Sequence, residues 1–197
     1  MKVLILLCCN SKMAVIILQP CRLHLQTDSA STCIYIGIPA QQPPAGGYLV
    51  FYALDGNAVL TFPNSENMQI LARQPQPPVL VLLGYATDKR FDVRARAYDY
   101  TIAPEDNNTD PLDASRINGG ADIFLDMIQN EVMPAVQMKV AVNLDNQTLW
   151  GHSYGGLLVL LLYLLSLICS NTYIAADPSV WLHGDLLQQE AAGNAEA

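Results

Sequence analysis

A chain of 197 residues, 51% of them hydrophobic, is long and apolar enough to bury the core of one globular domain, which excludes an intrinsically disordered protein. Eighteen acidic residues against ten basic ones leave a net charge of −8, and the scattered basic residues form no phosphate-tracking stripe, so nucleic acid is set aside as a partner. Five cysteines without a C-x-x-C spacing and three widely separated histidines give no zinc pattern, and the reading calls for no metal and no cofactor.

The chain divides into an irregular N-terminal segment (1–29), a main domain (30–186) and a frayed tail rich in alanine, glutamate and glycine (187–197). Residues 3–9 follow Lys2 as a short apolar run, the outline of a degenerate secretory signal, but Lys12 interrupts it and no small-x-small cleavage site follows. Export and a plain irregular strand or frayed extension both stand as readings, and localisation stays open between them.

From residue 33 the pattern is orderly. Residues 33–38 alternate and are rich in β-branched side chains, as in a strand, and stop at Pro39. A Pro- and Gly-rich turn (41–47) leads into the continuous apolar run 48–54, a strand buried on both faces, which ends at Asp55-Gly56-Asn57. Ser65 caps a short helix through Arg73, and 79–83 read as another buried strand. Strand, helix, strand implies parallel pairing through a right-handed crossover.

Residues 84–120 show no sustained period and read as a long loop leaving the C-terminal end of a central strand, where open α/β sheets bind their ligands. The loop carries Lys89, Arg90, Arg94 and Arg96 interleaved with Phe91 and Tyr98, either a solvated charge run or an anion-recognising, substrate-binding patch. Residues 121–136 form an amphipathic helix, with Phe124, Leu125, Ile128, Val132 and Val136 on one side and Pro134 bending its end.

A strand then enters Gly151-His152-Ser153-Tyr154-Gly155, a G-x-S-x-G sequence followed by the apolar segment 157–169, which is too short to span a bilayer and reads as a buried helix. Such a strand-to-helix corner holds the serine out, so Ser153 is the candidate nucleophile. Side chains bearing a Cβ at 151 and 155 are expected to collide with the neighbouring strand and helix. Residues 172–176 form a further strand that ends at Asp177-Pro178-Ser179.

The runs 48–57, 96–101, 119–125, 149–156 and 173–179 resemble the esterase D-like branch of the α/β-hydrolases, and within it the bacterial ferri-siderophore trilactone esterases. The resemblance covers roughly residues 30–185. It implies a three-layer α/β-hydrolase fold with a mostly parallel central sheet, an acyl-serine intermediate on Ser153, and a small-molecule ester substrate such as a ferric siderophore. It also implies an oxyanion hole made by the backbone N–H groups of Tyr154 and Asn57, and a cytoplasmic or periplasmic setting.

Two departures stand beside it. The family's general-base histidine comes well downstream of these motifs, and the C-terminal strands that carry it are not matched before Ala197, so the chain reads as C-terminally truncated. The family normally has serine where Asp177 stands. Within the chain, His152 precedes the nucleophile and points away from its oxygen in a sharp elbow, while Ser153, Asp177 and His183 keep the serine, acid, histidine order of the fold and are the weak candidates for a local triad. A serine esterase by descent is therefore one reading. A non-catalytic, truncated hydrolase-like scaffold is the other.

Overall fold

The computed structural model describes residues 16–26, 30–61, 70–103, 108–165, 170–182 and 184. Among the described residues six strands form one mixed sheet in the order β1-β2-β4-β3-β5-β6: β1 (Ile16–Gln26), β2 (Ser31–Pro39), β3 (Tyr48–Ala53), β4 (Val79–Tyr85), β5 (Val142–His152) and β6 (Thr172–Ala176). β4, β3, β5 and β6 pair in parallel, while β1 and β2 join antiparallel at one side. The burial pattern explains the arrangement. β4 is buried almost throughout, as a central parallel strand must be, whereas β2 alternates between buried and half-buried positions nearer the edge.

β1 corrects the expectation of an irregular segment up to residue 29. Its Pro20 faces Tyr35 in the ladder, and a residue without an N–H is compatible with a strand only at an edge, which is where β1 lies.

Helices cover both sheet faces, giving three layers. On one face Ile36, Val50, Tyr52, Val81 and Leu149 pack in a single cluster with Phe124, Ile128, Val136, Leu158 and Leu162. Those helical residues belong to α3 (Ala121–Met127), a π turn (Ile128–Val132), α4 (Met133–Gln137) and α5 (Tyr154–Leu164). The wide turn immediately precedes Pro134, whose nitrogen cannot donate to the helix ladder. On the other face α1 (Gly56–Val59) lies over Ala53 and Leu82, with Phe51, Leu80 and Trp150 only partly covered.

The long loop expected over 84–120 contains a helix, α2 (Val93–Asp99). The Asp92 carboxylate accepts from the Ala95 N–H at 3.1 Å and starts it, and the buried Ala95 and Ala97 hold it down. Residues 70–72 are helical, and the proposed Ser65 cap lies outside the described residues. Among the described residues no helix is long and apolar enough to cross a membrane.

Candidate active site

β5 and α5 meet at Ser153, whose backbone (φ 59°, ψ −117°) lies far from the helical, extended and left-handed wells. Its surroundings over-determine that conformation. The Ser153 N–H donates to Ala176 O at 3.0 Å, and its carbonyl accepts from Leu157 N at 2.9 Å and Ser179 N at 3.1 Å. Glycine makes the close approach tolerable at 151, where a Cβ would stand 2.3 Å from Gly155 O, and at 156, where it would stand 2.8 Å from Ala176 O. The collision expected at 155 is absent, since the nearest atoms there are those of Leu54 at an ordinary 3.4 Å.

The Ser153 hydroxyl lies 3.2 Å from the Ser179 hydroxyl, and Ser179 is buried. Nothing in the spacing of the sequence marks Ser179, because the contact is made only when the turn after β6 folds onto the elbow. Asp177 stands in that same turn (φ 42°) but is exposed, and its side chain makes no hydrogen bond or ion pair with a described residue. His183 lies outside the described residues. His152 is exposed and lines a cavity of about 510 Å³ beside Phe51, Trp150 and Arg90. Among the described residues, none with an acidic or basic side chain hydrogen-bonds to the Ser153 hydroxyl.

A second turn stands beside the elbow. Ala53 is in register with Trp150, and the Leu54 N–H donates to Trp150 O at 3.0 Å, so the ends of β3 and β5 are neighbours. Asp55 is in the left-handed well, which aspartate tolerates, and its carbonyl accepts from Ala58 and Val59 as α1 begins. The Asn57 side chain is spent on the end of β4: its amide donates to Tyr85 O (2.9 Å) and Thr87 O (3.0 Å) and accepts from Tyr85 N (2.7 Å). The main-chain N–H groups of Asn57 and Tyr154 each lie in the first turn of a helix, where no carbonyl four residues back takes them.

The three arginines expected to form one patch are divided. Arg90 and Arg94 are exposed, whereas Arg96 is half-buried against Asp55 in a bidentate ion pair, Nε and Nη2 donating at 2.9 and 2.8 Å. Its guanidinium lies over the rings of Phe91 and Tyr154 at 5.2 Å and of Tyr100 at 5.7 Å. Burial opposes the charge, but the Asp55 hydrogen bonds and negative charge outweigh it and hold Arg96 above its ordinary pKa.

Three tyrosine hydroxyls complete the interior. Tyr100 accepts from the Asp55 N–H at 3.1 Å, Tyr85 donates to Asp99 at 3.0 Å, and Tyr154 donates to Asp110 at 2.7 Å. Burial first, then the Tyr100 hydroxyl and the Asp99 carboxylate, raise Tyr85 above its ordinary value; burial, then the Asp110 hydrogen bond and charge, push Tyr154 up to about 12. Tyr100 is also raised, chiefly by burial. For Tyr154 the stabilisation by the neutral hydroxyl is fully present below the unfolded value near ~10 and is lost as pH rises through about 12. Alkaline difference spectroscopy is therefore expected to find Tyr85, Tyr100 and Tyr154 ionising above the ordinary tyrosine range, Tyr154 at about 12, with Tyr154→Phe removing that last step. Nine tyrosines titrating together near pH ~10 in the folded protein would refute this.

Residues 29–166 match the model of the family described as "Putative esterase". The chain is 38% identical over 149 residues to the apo-salmochelin esterase of Escherichia coli, covering 75% of this chain and 46% of that protein. It is 34% identical over 155 residues to the ferri-bacillibactin esterase BesA of Bacillus subtilis, covering 75% and 53%. The chain thus spans about half the length of the curated relatives it matches. Among solved structures, the enterobactin hydrolase IroE in complex with DFP superposes with a TM-score of 0.75 at 33% identity, covering 92% of this chain and 70% of that one.

Proposed function

The chain belongs to the esterase family, in its siderophore-esterase branch of carboxylic ester hydrolases, and from that premise we propose that it cleaves an ester through an acyl intermediate on Ser153. The observation that carries the reading is the Ser153 corner at φ 59°, held at both backbone ends, with the first turns of α1 and α5 beside it. The Ser153 oxygen attacks the ester carbonyl, and the carbonyl oxygen becomes an oxyanion that accepts from the N–H groups of Asn57 and Tyr154. The C–O bond to the alcohol breaks and the alcohol leaves with the proton given up by Ser153; water then adds to the acyl carbon, releases the acid and returns a proton to Ser153. Removing one such preorganised donor typically costs ~3 kcal/mol of transition-state stabilisation.

The substrate class is a siderophore ester, by analogy with the relatives named for salmochelin and bacillibactin, and the ferric complex is substrate rather than cofactor. Arg90, which lines the cavity at His152, and the exposed Arg94 are the groups we assign to an anionic substrate. His183, outside the described residues, and Asp177 are this chain's own candidates for base and acid, and His183→Ala tests them. A second reading, a hydrolase-like scaffold without catalysis, is favoured by one observation: the described hydrogen-bond partner of the Ser153 hydroxyl is another serine.

Diisopropyl fluorophosphate separates the two. Reaction forms a phosphorus–oxygen bond at Ser153 with loss of fluoride and of the hydroxyl proton, which only an activated serine accomplishes quickly. Mass spectrometry is expected to find one adduct, on the peptide holding Ser153, and none after Ser153→Ala. An unlabelled wild-type chain would leave the scaffold reading.

A further inference from the structure

We propose that Arg96 is a positioning residue that locks the two arms of the oxyanion hole against each other, and that it does not bind substrate. This rests on the reading of Asn57 and Tyr154 as the oxyanion donors. The two arms come from chain segments about a hundred residues apart, and hydrogen bonds within each helix cannot fix one relative to the other. Arg96 spans both. Its Nε and Nη2 grip the Asp55 carboxylate at 2.9 and 2.8 Å, and Asp55 is the residue from whose carbonyl α1 starts. The same Nη2 reaches His152 O at 3.5 Å, immediately before the nucleophile, and the guanidinium lies over the Tyr154 ring at 5.2 Å.

Tyr100, one helical turn after Arg96, accepts from the Asp55 N–H. One residue of the first arm is therefore held by side chain and backbone from a single element, α2 and its C-terminal cap. The fork geometry matters as well as the charge. A planar guanidinium can hold both carboxylate oxygens while its face stacks on Phe91, Tyr100 and Tyr154, and a lysine ammonium can do only part of this.

The test is steady-state hydrolysis of p-nitrophenyl acetate by the full chain and by Arg96→Lys, Asp55→Asn and the double variant, together with amide hydrogen exchange on the same proteins. Arg96→Lys is expected to lower kcat by ~10- to 100-fold, as displacement of a reacting geometry does, with KM within about twofold. The double variant is expected to fall no further than the worse single one, because the two changes break one contact. Exchange at Ala58 and Val59, whose N–H groups donate to Asp55 O, is expected to quicken by ~10-fold while the core amide of Val81 is unchanged. A raised KM at constant kcat would overturn the proposal by making Arg96 a substrate ligand. A uniform rise in exchange that includes Val81 would overturn it by making Arg96 only a stabiliser of the fold. Should the wild-type chain hydrolyse nothing, the esterase reading fails and the exchange experiment still decides: unchanged protection at Ala58 and Val59 in Arg96→Lys sinks the clamp, and its selective loss sustains it.

Discussion

Ser153→Ala is expected to lower any hydrolysis of p-nitrophenyl acetate by the 197-residue chain at least ~10³-fold without lowering its melting temperature. The two halves of that expectation have separate causes. In the proposed mechanism the hydroxyl is the atom that bonds to the acyl carbon, so its loss ends the covalent route and leaves the smaller effect of binding and preorganised N–H donors. The backbone at 153 (φ 59°, ψ −117°) is strained for any residue with a Cβ, and alanine neither relieves nor worsens it. Ser153→Gly, by contrast, is expected to raise stability by about 1 kcal/mol while being equally inactive, because glycine alone reaches that region freely. His183→Ala is the informative companion. A rate lost in both Ser153→Ala and His183→Ala means that the chain holds its own base. Buffer-level rates in all three proteins, wild type included, would end the claim that this chain catalyses.

Legibility in the sequence followed the range of the interactions. β3 and β4 were readable because strands buried on both faces are nearly unbroken apolar runs, and the parallel register between them follows from the helix-length gap that separates them. The elbow was readable because G-x-S-x-G sits between a strand and an apolar helix. α2 was not, since its arginines and alanines alternate over 94–97 and show no helical stripe; the capping Asp92 is the one local signal of its start. β1 was hidden by Pro20, which argues against a strand anywhere but an edge. At the site, Arg96 reads as a surface cation among other basic residues because its partner, Asp55, lies 41 positions earlier. Ser179 meets Ser153 only through the packing of the turn after β6 on the elbow, and no periodicity encodes a contact of that kind.

The glycines of the elbow give the second large effect, and here geometry departs from the motif. Gly151 and Gly155 look equivalent in G-x-S-x-G, yet a Cβ at 151 would meet Gly155 O at 2.3 Å and Gly155 C at 2.4 Å, whereas one at 155 meets Leu54 Cβ and Cδ1 at 3.4 Å. The first pair are backbone atoms in the opening turn of α5, and they can retreat only if the helix moves off the sheet. Gly151→Ala is therefore expected to cost at least ~3 kcal/mol, above the usual range for overpacking because no side chain can give way, and to lower the melting temperature by ~6–12 °C. Gly156→Ala, facing Ala176 O at 2.8 Å, falls next. Gly155→Ala is expected to be neutral or to stabilise by up to about 1 kcal/mol, since alanine restricts the unfolded chain and favours the helix it enters. Urea or thermal melts of the three variants check the ranking. A Gly155→Ala protein less stable than Gly151→Ala would mean that the first turn of α5 sits closer to Leu54 and Asp55 than 3.4 and 3.6 Å from a Cβ at 155. The two arms clamped by Arg96 would then be packed so tightly by their own backbones that the guanidinium had little left to position.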